Sequence, residues 1–223
     1  MKLLLLSVDK DVIAAVEAYA ADEGHSLVTS ADIQSAKNEI RSRSCDAVLM
    51  DCSIRPSELI GVSAELTDAL AETVVLLLGP LDPDQRELLG RRLSAHYSID
   101  KPLRGKTFLE IMHLVKLRST IVRKAGLIGR SPVMEETIQT IMQVGPTPIS
   151  VLITGESGSG KEVIARAIHT VSRRSDRPFL AVNCAALAEG VIESELFGHE
   201  KGAFTGASSR RIGMFEKSDS GTI

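Results

Sequence analysis

The run Gly155-Glu156-Ser157-Gly158-Ser159-Gly160-Lys161-Glu162 has the residue types and spacing to bind phosphate. Its glycines let the backbone turn so that successive N–H groups converge on one point, and the lysine adds a mobile positive charge there. A polyphosphate is what such a point attracts. Two elements must hold the loop in place. The apolar run 151–153 predicts a strand leading into it, and Val163, Ile164, Ala167 and Ile168 predict a helix leading out.

The P-loop pattern asks for Ser or Thr after the lysine, where a hydroxyl meets Mg²⁺, and this chain has Glu162. A glycine-rich tight turn without a ligand is the competing reading. The flanking strand and helix patterns favour a nucleotide triphosphate site.

Five apolar segments in the first half read as strands, at 3–6, 26–29, 47–50, 74–78 and 97–99. Helical patterns follow each, opened by Asp9 or Asp11, Asp32, Ser57, Asp82 and Lys106. Continuous apolar runs suit strands buried on both faces, so the alternation predicts a parallel sheet covered on both sides. Function in such sheets gathers at the carboxyl ends of the strands. Asp51 closes the third strand and Lys101-Pro102 follows the fifth.

From Ile111 a helical pattern continues through Leu114, Val115, Leu117, Ile121 and Val122 to Gly126, at a spacing near seven. It is expected to leave the first domain and pair with a second copy. Pro132 opens a helix carrying Met134, Ile138, Ile141 and Met142, which Gly145-Pro146-Thr147-Pro148 ends. Further on, 179–182 reads as a strand and 188–196 as a helix, before a glycine-flanked loop that presents Phe204.

Composition narrows the classes. A chain of 223 residues, 43% hydrophobic with a formal net charge of −3, suits two soluble domains. That charge balance and 3% aromatic content argue against a nucleic-acid surface in this stretch. No apolar run approaches the roughly 18 residues that cross a membrane, and residues 1–6 are too short for a signal peptide, so the cytoplasm is the expected location. Cys45, Cys52 and Cys184 lack metal-ligand spacing and are expected as reduced thiols in small core sites. The five histidines are scattered and no metal site is expected from them. The basic residues Arg104, Lys106, Lys116, Arg118, Arg123, Lys124 and Arg130 are expected on the solvated face of a helix and linker.

Residues 1–115 resemble the receiver domain of bacterial two-component regulators. Asp51 matches that family's phosphate-accepting aspartate, and Lys101-Pro102 its Lys-Pro pair, whose peptide bond is usually cis. The match fails at three places. Ser7 and Val8 stand where an acidic pair holds Mg²⁺, Leu78 where a switch Thr or Ser stands, and Ser98 where a switch aromatic stands. Asp9 is expected one or two residues beyond the metal position, the alternative being an alignment slipped by one or two residues that makes Asp9 a ligand. The resemblance implies a receiver fold with Asp51 and Lys101 as remnants, controlled by a bound regulatory protein and not by phosphorylation.

Residues 127–223 resemble the AAA+ ATPases that activate sigma-54 RNA polymerase, the enhancer-binding proteins of the NtrC type. Four blocks carry the likeness: 155–162; Val182-Asn183-Cys184-Ala185-Ala186; Glu193-Ser194-Glu195-Leu196-Phe197-Gly198-His199-Glu200-Lys201; and Gly202-Ala203-Phe204-Thr205-Gly206-Ala207. That family also carries Glu at the position of Glu162. The resemblance implies ATP and Mg²⁺ as cofactors, with Ile128 and Gly129 near the adenine. Gly155, Glu156, Ser157, Gly158, Ser159, Gly160, Lys161 and Glu162 would surround the phosphates, and Asn183 would couple nucleotide state to a catalytic glutamate. Gly202, Ala203, Phe204, Thr205, Gly206 and Ala207 would form the sigma-54 contact loop. Within the family, the lost phosphorylation residues with Ser159, Ser172-Arg173-Arg174 and Arg211-Ile212-Gly213 are similar to flagellar-gene regulators of alphaproteobacteria.

The expected architecture is therefore α/β. A flavodoxin-like, receiver-like five-stranded parallel sheet (1–115) leads through a helical linker (116–126) into the N-terminal part of an AAA+ domain (127–223). The family's Walker B pair, sensors, arginine finger and DNA-binding domain would follow Ile223, so no catalytic residue is expected within the chain. Dimers, and rings of longer chains, are the expected assemblies. The alternative is a non-enzymatic regulator that binds nucleotide or partner subunits without hydrolysing ATP.

Overall fold

The computed structural model describes residues 1–42, 45–55, 58–60, 70, 73–127, 131–186, 191–203 and 208–223. They form two compact units, Met1–Ile138 and Gln139–Ile223.

In the first unit the strands are β1 (Lys2–Leu6), β2 (Ser26–Ser30), β3 (Ala47–Asp51), β4 (Val74–Leu78) and β5 (Tyr97–Ile99). They pair in parallel in the order β2-β1-β3-β4-β5. Every residue of β3 and β4 is buried, as their unbroken apolar runs require of strands covered on both faces. One cluster joins Leu3, Leu5, Leu49 and Leu76 to Val16, Phe108 and Met112, and a second joins Leu4, Met50 and Leu77 to Ile40, Leu89 and Leu93. Alternate residues of each strand thus serve opposite faces.

The helices here are α1 (Lys10–Asp22), α2 (Ile33–Arg41), α3 (Pro83–Leu93) and α4 (Gly105–Ala125). Aspartates cap three of them. Asp9 accepts from the N–H groups of Asp11 and Val12, Asp32 from Ser35, and Asp82 from Gln85. Such caps contribute about 1 kcal/mol each. The helix expected from Ser57 lies largely outside the described residues, with 58–60 helical.

The linker expectation changes. Helix α4 runs unbroken for 21 residues and stops at Gly126, whose φ of 71° suits a residue without a side chain. Its last turns do not project as a bare seam. Ile121 is fully buried, Val122 and Ser119 nearly so, while Lys116 pairs with Glu23 at 3.2 Å and Arg123 with Asp46 at 2.7 Å. Arg118, expected on a solvated face, is 3% exposed. Periodicity had identified a face to bury, and this chain's own residues bury it.

Helix α5 (Pro132–Val144) follows. Residues 151–153, predicted as a strand, carry no ladder pairing among the described residues, and 179–182 contribute one parallel bridge, Phe179 to Thr222. Leu152 is accordingly 89% exposed. Helix α6 (Lys161–Thr170) begins where the glycine loop ends. Helix α7 occupies Ile192–Phe197, shorter than the predicted 188–196, whose first three positions lie outside the described residues. A two-residue antiparallel pair, β6 (Gly198–His199) with β7 (Arg211–Ile212), then precedes α8 (Met214–Lys217). Among the described residues no helix is long and apolar enough to cross a membrane.

Candidate functional site

The loop preceding α6 has the backbone that its glycines predict. Gly158 and Gly160 take φ values of 77° and 87°, and Gly160 is the residue from which α6 starts. An L side chain resists that region, so only glycine turns the loop this sharply without strain. Lys161 Nζ donates to the carbonyls of Gly155 at 3.1 Å and Glu156 at 2.6 Å, folding back over the loop it closes. A phosphate oxygen is a stronger acceptor than either carbonyl and can take over that ammonium. The helix start adds unpaired N–H groups and the positive end of its dipole.

Glu162, the departure from the common pattern, sits in the first turn of α6. Arg166 one turn later binds it through Nη2 at 2.7 Å and Nε at 3.1 Å. The same guanidinium lies 4.8 Å from the centre of the Phe179 ring. The carboxylate is thereby drawn along the helix and its charge partly offset, which removes an objection to anion binding at the loop. The loop and its lysine therefore fit a nucleotide polyphosphate.

Asn183 is exposed, and its Oδ1 accepts from the N–H of Ala185 at 3.2 Å. Beyond α7, Arg211 grips Glu195 fork to fork, with Nη1 at 2.6 Å and Nη2 at 2.7 Å. With β6 and β7 this pair closes the neck of the loop that contains Gly202 and Ala203. Ile128, Gly129, Phe204, Thr205, Gly206 and Ala207 lie outside the described residues.

A second site stands at the carboxyl ends of β1, β3 and β5. Asp51 is fully buried. Its Oδ2 accepts from Ser7 Oγ at 2.6 Å, its Oδ1 from the Ser53 N–H at 2.9 Å and from Ser53 Oγ at 2.8 Å. Lys101 Nζ reaches Asp51 Oδ1 at 2.8 Å, Asp9 Oδ2 at 2.8 Å and Ser53 Oγ at 2.9 Å. Asp9 is a correction. Expected beyond the site, it enters it, because its Oδ1 caps α1 while its Oδ2 stays free to meet Lys101. Val8 points the other way and is 62% exposed.

The charges follow from this geometry. Burial opposes ionisation of Asp51, but the hydrogen bonds from Lys101, Ser7 and Ser53 outweigh it and hold the carboxyl below its ordinary value. The hydrogen bond from Lys101 lowers Asp9. Burial alone would lower Lys101, and its two carboxylate partners raise it instead. Ser7 and Ser53 were missed in the sequence. The available signals were a hydroxyl in a vacated acid position and a serine two residues past an aspartate, the spacing of a side-chain-closed turn. The Lys101–Pro102 peptide bond is cis. Leu78 lies wholly in the core. Among the described residues no group of three or more His, Cys, Asp or Glu could hold a metal ion.

The cysteines divide. Cys45 is buried, and burial with the nearby Asp51 charge pushes Cys52 up to about 11, whereas Cys184 is exposed and does not fill the core site expected of it.

Comparison with known proteins gives four findings. Residues 127–223 match the Sigma-54 interaction domain. Over 235 residues the chain is 35% identical to the transcriptional regulatory protein ZraR of Salmonella typhimurium, covering 100% of this chain and 53% of that protein. Over 97 residues it is 61% identical to the transcriptional regulatory protein FlbD of Caulobacter vibrioides, covering 44% of this chain and 21% of that protein. Among solved structures, NtrX from Brucella abortus in complex with ATP is similar at a TM-score of 0.46 and 28% identity, covering 99% of this chain and 49% of that one. The chain spans about half the length of the full-length curated relatives it matches. The chain thus joins a five-stranded parallel sheet in its first half to a second half that matches the Sigma-54 interaction domain, and it is similar along its whole length to the transcriptional regulatory protein ZraR.

Proposed function

We propose that this chain serves an ATP-dependent activator of sigma-54 RNA polymerase whose first domain answers to a bound protein and not to phosphorylation. The observation that carries the first part is the turn at Gly158 and Gly160, which delivers Lys161 to the start of α6 within a matched sigma-54 interaction domain. In this reading the backbone of residues 158–161 and Lys161 Nζ hold the phosphates of ATP, and Mg²⁺ enters with them. Bound ATP supplies the hydrolysis energy that a ring of longer chains uses to remodel the closed promoter complex. The loop 202–207 carries the contact to sigma-54, and the stapled neck at Glu195 and Arg211 transmits motion to it.

The closed network around Asp51 supports the second part. Both carboxylate oxygens already accept hydrogen bonds, and Ser7 and Val8, at the positions where the resemblance places the metal-holding acidic pair, offer no carboxylate to a metal that would offset charge during phosphoryl transfer. Incubation with Mg²⁺ and acetyl phosphate should leave the intact mass unchanged; stoichiometric modification at Asp51 would overturn this part. The resemblance of Ser159, Ser172-Arg173-Arg174 and Arg211-Ile212-Gly213 to flagellar-gene regulators supports a role in flagellar genes, for which a deletion strain should lose flagellar transcription.

Two substitutions test the nucleotide and sigma-54 assignments. Lys161→Ala should abolish ATP binding, weakening it about a hundredfold or more, as expected when a charge-assisted phosphate contact is lost. Thr205→Ala should leave ATP affinity intact and abolish sigma-54 contact. Equal ATP affinity in the wild type and Lys161→Ala would refute the phosphate site.

A further inference from the structure

Glu162 stands in the first turn of α6, and the side chains of a helix lean toward its start. For Glu162 that start is the glycine loop. A free carboxylate there would repel the phosphates that Lys161 and the unpaired N–H groups attract. Arg166 holds it instead. Its Nη2 and Nε both donate to one oxygen, Glu162 Oε1, at 2.7 and 3.1 Å.

An exposed pair one helical turn apart is ordinarily loose, but this one has an anchor outside its helix. The Arg166 guanidinium lies 4.8 Å from the centre of the Phe179 ring. Phe179 is fixed in turn by its bridge to Thr222, with the Thr222 N–H donating to Pro178 at 2.9 Å and the Leu180 N–H donating to Thr222 at 2.9 Å. On the ring's other contact, the buried His169 packs with its centre 5.3 Å away while its Nδ1 meets Thr222 Oγ1 at 2.9 Å. In the comparable pairs Arg91–Glu87 and Lys106–Glu110 the cation is far more exposed than Arg166. The direction of this arginine is therefore set by a contact beyond its own helix.

We propose that Arg166 is a positioning residue of the ATP site: anchored on Phe179, it holds the Glu162 carboxylate off the phosphates and so sets how tightly the loop binds ATP. The proposal rests on reading residues 158–161 as the phosphate site, and adds the pair that tunes it. A guanidinium can lay its face on a ring and its edge on a carboxylate at once, which an ammonium cannot. Arginine is thus required here for more than its charge.

Titration calorimetry with ATP and Mg²⁺ on the whole 223-residue chain tests this. Arg166→Met should raise the Kd for ATP about two- to fivefold, the range for one charge near a helix start. The same change should have little effect when Glu162 is already Gln, because no carboxylate remains to be held. Arg166→Lys should fall between wild type and Arg166→Met, and Phe179→Leu should weaken binding only while Glu162 is present. An unchanged Kd in Arg166→Met would overturn the proposal. Equal weakening with Glu162 and with Gln at that position would overturn it too, since Arg166 would then act by its own charge or by packing. Lys161→Ala separates the two assignments: wild-type affinity there removes the phosphate site and this proposal together, whereas lost binding there with an unchanged Arg166→Met removes the proposal alone.

Discussion

Val74–Leu78 and the run 149–153 are apolar segments of similar length with opposite fates. The first is buried at every position between β3 and β5. In the second, Ile149 is 59% exposed and Leu152 89%, and no strand among the described residues pairs with them. The two functional loops differ in parallel. At the end of β3, Asp51 is saturated by Ser7, Ser53 and Lys101, three residues brought together by a completed sheet. At the start of α6, Lys161 is satisfied only by carbonyls five and six residues back along its own chain. The Asp51 carboxylate closes on side chains drawn from distant parts of the chain, whereas the loop ahead of α6 closes only on its local backbone.

The largest expected effect separates the two apolar runs. Leu76→Ala should destabilise the first unit by about 2–5 kcal/mol, the usual cost of a cavity in a packed core, and Leu152→Ala should change stability by no more than about 0.5 kcal/mol. Urea unfolding followed by circular dichroism measures both. A substantial loss from Leu152→Ala would break the comparison, because it would mean that the second run is buried in solution.

Next in size is the network itself. Lys101→Met leaves Asp51 buried without its cation and should cost about 3 kcal/mol in the same assay. The pH dependence sharpens this. Asp51 and Asp9 are lowered in the fold from 3.8, so their contribution is complete above 3.8 and is lost as pH falls through their lower folded values. Lys101 is raised from 10.5, so its contribution is complete below 10.5 and is lost as pH rises through its higher folded value. Wild-type stability should therefore fall in acid below about pH 4, and Lys101→Met should flatten that slope. Identical acid slopes would show that the carboxylates do not depend on Lys101.

The smallest effect concerns the thiols. In the folded chain Cys184 should react with iodoacetamide, while Cys45 and Cys52 should react only on unfolding, since burial raises both thiols. Peptide mass spectrometry of briefly labelled protein reads the order directly. Early labelling of Cys52 would mean that the carboxyl end of β3 opens more readily than its contacts imply.

Much of this was legible in the sequence because it is local. Asp9, Asp32 and Asp82 start helices through side chains that reach only two or three residues ahead. Gly158, Gly160 and Gly126 set their turns by their own φ angles, and the unbroken apolar runs of β1, β3 and β4 announce strands buried on both faces. The loop ending in Lys161 and the alternation of strand and helix were determined in this way, by the chain and its nearest neighbours.

What tertiary structure decided involves partners far away in the chain. Lys101 meets Asp9 across 92 residues and Asp51 across 50, so neither the entry of Asp9 into the site nor the closing of the network follows from local spacing. The apolar periodicity of α4 shows that a face is buried but not against what, which is why its last turns and Arg118 read as a solvated linker. Residues 151–153 read as a strand from their composition, yet a strand exists only where a neighbour supplies the other half of its hydrogen bonds. Conformational preference is a property of a segment and can be read from it. Pairing of charges and strands is a property of two segments, and only the folded chain brings the second one within reach.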